Sequence, residues 1–138
     1  MNRAKFGWAA IGLLLSCSPG DPTPANKSGI GIVGRWRLFE IQGSTGASSF
    51  TTPISAKPLQ ALTFTSGRQL RKEGNQLGDY YDYPFYRVDS SKTGYQVRFL
   101  PSQTDTLGVQ VGLTISKDTL RLTPFCAEGC RQSFVRIN

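Results

Sequence analysis

The stretch of residues 109–123 reads VQVGLTISKDTLRLT, and it decides the fold. Between residues 109 and 115 every second residue is apolar, and the residues between them are Gln, Gly and Thr. Lys117-Asp118 supplies a turn, after which Leu120 and Leu122 repeat the alternation. A period of two is the pattern of a strand with one buried face. The stretch therefore predicts two antiparallel strands, with Leu120 and Leu122 facing inward.

The same pattern continues on both sides of this stretch, and helical periodicity is absent over any useful length. About eight strands are predicted, over residues 34–42, 59–65, 69–73, 81–88, 95–100, 109–115, 119–123 and 132–137. In the first strand Trp36 and Leu38 are expected on one face, and Phe39 and Ile41 on the other. Residues 43–58, rich in Gly, Ser, Thr and Ala, are expected to form a loop. An all-β, antiparallel domain of this kind manages its sheet edges most simply by closing on itself.

Two short motifs at the ends of the domain point to a family. Gly34-Arg35-Trp36 opens the first strand, and Arg136 lies in the last. This resembles the Gly-x-Trp of the lipocalins, in which an arginine from the final strand covers the tryptophan. A guanidinium over an indole is a favourable cation–π contact. The alternative is that Trp36 is an ordinary core aromatic residue.

Three further stretches are similar to small lipocalin-like lipoproteins of Gram-negative bacteria. They are residues 118–122, 126–130 and 134–137, and the resemblance covers residues 33–138. It implies a closed or nearly closed lipocalin-like β-barrel, in which Gly34, Trp36 and Arg136 close one end.

The N-terminal segment has the three parts of a secretory signal peptide. Arg3 and Lys5 precede an apolar run over residues 6–15, and Leu14-Leu15-Ser16-Cys17 resembles a lipobox. Ten apolar residues are too few for a helix across a bilayer of about 30 Å. A buried N-terminal helix is the alternative, but residues 18–31 are rich in Pro, Gly, Ser and Asn. The resemblance implies cleavage after residue 16 and a diacylglycerol thioether on Cys17.

This interpretation divides the chain into three parts. Residues 1–16 are expected to be the signal peptide, residues 17–32 a lipidated cysteine and flexible tether, and residues 33–138 the barrel domain. Ser18 follows the cysteine, which favours the outer membrane under the familiar Gram-negative sorting rule. The protein is expected to be a monomer held to the membrane by the lipid on Cys17.

Composition argues against several classes of function. The formal charge is +7, and it falls to +5 when Arg3 and Lys5 are removed with the signal peptide. The longest basic run is Arg71-Lys72, so the basic stripe of a nucleic-acid binder is missing. The chain has no histidine, the commonest general base and metal ligand. We therefore expect no enzyme activity, no metal and no cofactor.

Cys126 and Cys130 remain once Cys17 is lipidated. In an exported protein two such cysteines usually pair, so a disulfide that fixes the turn before the last strand is expected. A redox or metal site is the alternative, although the C-x3-C spacing and the lack of histidine disfavour it.

Aromatic residues cluster between positions 80 and 86. Tyr81, Tyr83 and Phe85 would share one face of a strand, and together with Phe99 they are candidates for ligand binding. Such stripes more often belong to the core and the sheet surface, since aromatic residues favour strands. The leading hypothesis is a module for a small apolar or amphipathic ligand, in a cavity lined by residues such as Phe64, Phe99 and Leu113. The alternative is a protein–protein module, such as a periplasmic hydrolase inhibitor or an envelope scaffold, acting through residues 43–58 or 126–130.

Overall fold

The computed structural model describes residues 31–80, 82–124 and 129–138. These ranges contain nine strands, eight of them with buried apolar residues, together with a 3-10 helix at Gly78–Tyr80. The strands are β1 (Gly34–Ser44), β2 (Ser49–Pro53), β3 (Ala61–Phe64), β4 (Leu70–Glu73), β5 (Phe85–Ser91), β6 (Gly94–Leu100), β7 (Val109–Ser116), β8 (Thr119–Thr123) and β9 (Arg131–Ile137).

The strands form one antiparallel sheet that curls through 245°. Their order is β4-β3-β1-β9-β8-β7-β6-β5, and β2 pairs with the far half of β1. The two outermost strands approach each other through a bridge between Gln69 and Phe85, and the Tyr86 amide donates to the Arg68 carbonyl at 2.9 Å. The predicted all-β, nearly closed antiparallel barrel is therefore confirmed.

β2 and β3 run in the same direction, because each pairs antiparallel with a different half of β1. All the other connections reverse the chain, so those connections alternate between two ends of the barrel. We call one of them the closed end. It is formed by residues 31–33, by the turns at 65–69, 92–93 and 117–118, and by Asn138. We call the other end the open end, and it is formed by the described parts of 45–48, 74–84, 101–108 and 124–130.

A β-bulge changes the expected facing of the first strand. The pairing of β1 with β9 shifts between Leu38 and Glu40, which leaves Phe39 without a partner in that ladder. The extra residue moves Ile41 to the same face as Trp36 and Leu38, where it packs against the core. The expectation that Ile41 lies on the opposite face from Trp36 is wrong, because a bulge resets strict alternation.

Two strand predictions also need correction. Ser49–Pro53, placed in a loop from the sequence, forms β2 beside β1, and all five of its residues are exposed. The strand expected from residue 81 begins instead at Phe85. Pro84 lacks the N–H that a ladder needs, so it marks the start of the pairing.

The barrel interior is packed with aromatic and aliphatic side chains. Four aromatic rings touch in series across it, in the order Tyr86, Phe64, Phe99 and Tyr80. Their centroids lie 4.9 Å apart for Phe64 and Tyr86, 6.4 Å for Phe64 and Phe99, and 4.9 Å for Tyr80 and Phe99. Leu120 and Leu122 face this core, as predicted from their alternation.

The closed end contains the expected contact between Trp36 and Arg136. The Arg136 guanidinium carbon lies 4.1 Å from the indole centroid, and the buried indole N–H donates to the Ile32 carbonyl at 2.7 Å. Gly34 has φ of 144°, and a Cβ there would clash with the guanidinium. Ile32, expected in the tether, is fully buried, so the packed domain includes it.

Replacing Arg136 tests how much this contact stabilises the barrel. The guanidinium also donates to the Val33 carbonyl at 3.0 Å and to the Gly31 carbonyl at 2.6 Å. We expect Arg136→Met to lower the free energy of unfolding by about 2 kcal/mol, through the lost stacking and hydrogen bonds. Urea unfolding followed by Trp36 fluorescence measures this.

The matched control is Arg121→Met, which changes an exposed arginine on the outer wall of β8. It should shift stability by no more than about 0.5 kcal/mol. Equal losses in the two variants would contradict a closing role for Arg136.

Candidate functional site at the open end

The connection between β4 and β5 turns inward over the open end. Leu77 and Tyr80, on the two sides of Gly78, are 0% and 3% exposed and belong to the core. The Tyr80 amide donates to the Leu77 carbonyl at 3.0 Å, so one tight turn directs both side chains into the barrel. The connection is therefore part of the barrel's packing and forms a floor for the open end.

Buried polar groups hold this connection in place. The side-chain carbonyl of Gln60, 1% exposed, accepts the Gln76 amide at 2.9 Å. Gly74 has φ of 102°, and a Cβ there would clash with the Gln60 side chain. On the other side, the Lys72 ammonium donates to the Tyr83 carbonyl at 3.3 Å. Burial lowers the pKa of Lys72, and the negative charge of Asp82 opposes that shift.

Tyr80 makes a buried hydrogen bond across the barrel to the last strand. Its hydroxyl donates to the Gln132 side-chain oxygen, and both residues are buried. Burial raises the pKa of Tyr80 well above its usual range, and the nearby charge of Asp79 raises it further. The phenol therefore stays neutral, and it acts as a hydrogen-bond donor.

One cleft opens between this connection and β7. We call it the tyrosine cleft, and its volume is about 440 Å³. Its walls are mainly apolar and aromatic, with one carboxylate. It is lined by Asp79, Tyr80, Tyr83, Val109, Gln110, Val111 and Pro124.

A second cleft opens on the other side, over the paired open-end segments of β1 and β9. We call it the arginine cleft, and its volume is about 380 Å³. It is lined by Ile41, Gln42, Gly43, Phe50, Asp79, Pro124, Cys130, Arg131 and Gln132. The Arg131 guanidinium lies 3.6 Å from the Glu40 carboxylate, so this cleft has a partly neutralised cation at its edge.

The two clefts adjoin. Asp79 and Pro124 line both of them, and the hydrogen bond from Tyr80 to Gln132 joins a wall of one to a wall of the other. Each volume lies in the range of small-molecule sites, which are mostly apolar with a few polar groups. The arrangement can accept an apolar body and offers charged groups at its edges.

The structure separates the aromatic candidates from one another. Tyr83 lines the tyrosine cleft, whereas Phe99 is fully buried in the core and in contact with Phe64 and Tyr80. Phe85 pairs with Leu100 on the outward-facing side of β5 and β6. The strand expected to carry both Tyr83 and Phe85 begins at Phe85, so Tyr83 precedes it. Tyr81 lies outside the described residues.

The remaining predicted positions are only partly described. Cys130 is disulfide-bonded and lines the arginine cleft, while its expected partner Cys126 lies outside the described residues. Cys17, the signal peptide and tether residues 17–30 also lie outside them. In the described ranges no three His, Cys, Asp or Glu side chains could hold a metal ion, and no helix is long and apolar enough to cross a membrane.

Comparisons of the chain with protein-family models, with curated proteins and with solved structures find no significant match. The resemblance to lipocalins therefore depends on the motifs quoted above.

Sequence reasoning missed the residues that shape the open end. Leu77 and Tyr80 stand three positions apart in a turn-rich stretch, which is the spacing that places two side chains on one side of a single helical turn. That spacing was the only signal, and it does not reveal the contact with Gln132. Pro124, which separates β8 from the last connection, carried no signal at all.

The buried hydroxyl of Tyr80 leads to a prediction about stability. Tyr80→Phe removes the donor to the buried Gln132 oxygen, so it should lower the free energy of unfolding at neutral pH by about 1–2 kcal/mol. Tyr95→Phe, at a half-exposed ring near the closed end, controls for the loss of a hydroxyl and should cost less than about 0.5 kcal/mol.

The same variant should change the pH dependence. Above about pH 10 the unfolded chain releases the Tyr80 proton while the folded chain keeps it, so the wild type loses stability as pH rises. Tyr80→Phe should remove about 1 kcal/mol of that loss between pH 10 and pH 11. Urea unfolding at several alkaline pH values measures the difference, and parallel curves for the two proteins would contradict it.

Proposed function

We propose that this protein is a lipid-anchored lipoprotein of the bacterial envelope, attached through Cys17. The charged start, short apolar run and Leu-Leu-Ser-Cys ending of residues 1–17 support the proposal. The position of the closed end is compatible with it, because the described chain enters the barrel there at Gly31. Two or more acyl chains give stable membrane anchoring.

Expression of the full chain in a Gram-negative host tests the anchor. Mass spectrometry of the purified protein should find residues 1–16 removed and a diacylglycerol added to Cys17. Cys17→Ser should leave the chain unlipidated and uncleaved at that position. A wild-type chain that keeps residues 1–16, or is cleaved without gaining lipid, would refute the proposal.

We also propose that the barrel binds a small apolar or amphipathic ligand at its open end. The observation that carries this proposal is the pair of adjoining clefts, of about 440 and 380 Å³, around Asp79 and Pro124. The ligand would lie over the packed interior, because Leu77 and Tyr80 occupy the barrel below the clefts.

The lining residues indicate the chemistry of the ligand. Tyr83, Val109 and Phe50 offer apolar contact to a chain or ring, and burying apolar surface contributes about 25 cal/mol per Å². Asp79 and Arg131 stand at the edges, where they can meet a polar head group. These features favour an amphipathic molecule over a purely polar one.

Native mass spectrometry of the mature protein, purified from its own cell envelope, tests ligand binding. A co-purifying small molecule is expected. It should be lost or at least tenfold depleted in Tyr83→Asp, because a charge in an apolar cleft is costly to desolvate. Arg121→Asp introduces the same side chain on the exposed outer wall of β8, away from both clefts, and should keep the molecule.

A fluorescent apolar probe added to the empty protein gives a second readout. Val109→Lys should weaken probe binding by a similar factor, since Val109 lines the tyrosine cleft and is itself half exposed. A protein that is empty from the envelope and binds no probe would exclude the ligand site.

A protein–protein function is the second candidate, and one observation favours it. Leu107 is 81% exposed in the connection between β6 and β7, and Phe50 is 51% exposed on β2, both at the open end. Exposed apolar surface that a partner would cover is a mark of protein-binding sites when it is contiguous. Leu107→Asp should then abolish capture of a periplasmic hydrolase or other envelope protein, while leaving probe binding unchanged.

A further inference from the structure

The closed end of the barrel carries a basic residue in each of its three hairpin turns. They are Arg68 between β3 and β4, Lys92 between β5 and β6, and Lys117 between β7 and β8. All three are exposed. The alternation of the connections brings them to one end, although they are far apart in the sequence.

Two of these turn residues adopt a backbone conformation that disfavours a side chain. Arg68 has φ of 62° and Lys117 has φ of 52°, and they are the two non-glycine residues with positive φ in the described ranges. Glycine or asparagine would occupy such positions with less strain. The chain places a cation there despite that cost, which points to a use for the charge.

Acidic residues are distributed the other way. At the closed end Asp118 is the acidic side chain in the described turns, and it lies 3.9 Å from the Arg136 guanidinium. Asp79, Asp82 and Asp105 are exposed in the connections of the open end. The barrel is therefore polarised along its axis, with a basic closed end and acidic groups around the open end.

We propose that the closed end docks on an anionic lipid surface, namely the leaflet that holds the acyl chains of Cys17. This inference builds on the proposed anchor. The described chain leaves the barrel at Gly31 on this same end, and residues 17–31 can span at most about 50 Å. The tether would therefore keep the barrel near the membrane, and docking by the basic end would turn the open end with its clefts away from it.

The attraction comes from the potential of anionic head groups. That potential decays within a Debye length of about 8–10 Å, so only cations at the docked end contribute. Each exposed lysine or arginine near an anionic surface strengthens partitioning about fivefold. Removing the three turn cations should therefore weaken binding on the order of 100-fold.

Vesicle sedimentation tests this docking with residues 17–138 expressed without residues 1–16 and carrying Cys17→Ser, so that neither a signal peptide nor an acyl chain contributes. The chain should bind vesicles with about 30% phosphatidylglycerol in phosphatidylcholine, bind pure phosphatidylcholine far less, and be released by salt. The test variant combines Arg68→Asn, Lys92→Gln and Lys117→Asn. Asparagine tolerates the left-handed backbone at positions 68 and 117, and Trp36 fluorescence reports that the variant is folded.

The matched control removes three cations from elsewhere on the barrel, with Arg37→Gln, Lys57→Gln and Arg121→Gln. It has the same net charge as the test variant and should keep most of the binding. Equal loss in the two triple variants, or no binding of the wild type to anionic vesicles, would overturn the inference. The anchor and the docking surface can fail separately. If mass spectrometry shows that the wild-type chain is never lipidated at Cys17, but the barrel still binds anionic vesicles, the docking surface is supported and the anchor is refuted.

Discussion

The pairing of the first strand with the last one holds this barrel together. Trp36 stands at that junction, because its partner in β9 is Arg136 and its partner in β3 is Leu62. The indole is fully buried, its N–H is satisfied by Ile32, and the guanidinium covers its outer face. β1 and β9 are neighbours within the strand order, and the two edge strands of the sheet, β4 and β5, approach each other at the bridge between Gln69 and Phe85. The inward side chains can then pack against one another across the axis.

That packing decides where a ligand can be held. An eight-stranded barrel has an interior just wide enough for side chains or one small ligand. In this chain the rings of Phe64, Phe99 and Tyr80 touch in series along the interior, and Leu77 packs beside them. Space for a small molecule therefore moves to the rim, where the connection between β4 and β5 lies between two clefts. The buried Tyr80 hydroxyl, kept neutral, joins that connection to β9.

Most of the strands could be predicted because each has one buried face, which appears in the sequence as an alternation of apolar and polar residues. β2 could not be predicted, since a strand exposed on both faces has no such alternation. Nor could the bulge at Phe39, because one inserted residue cannot be distinguished from ordinary alternation until the partner strand is known. The open-end site was less predictable still. The connection that carries Tyr80 is held by two distant glutamines. Gln60 accepts from the Gln76 amide, sixteen residues further along the chain, and Gln132 accepts from Tyr80 across a separation of 52 residues.

The two ends of the barrel differ in the length of their connections and in the charge that these connections carry. The closed end consists of short turns that carry cations, two of them in a backbone conformation where a side chain is disfavoured. The open end consists of long connections that carry acidic and apolar residues around the clefts. A tether attached at Gly31 and a basic surface around it would act on the same end. Both would orient the clefts away from an anionic bilayer, where soluble molecules or partner proteins can reach them.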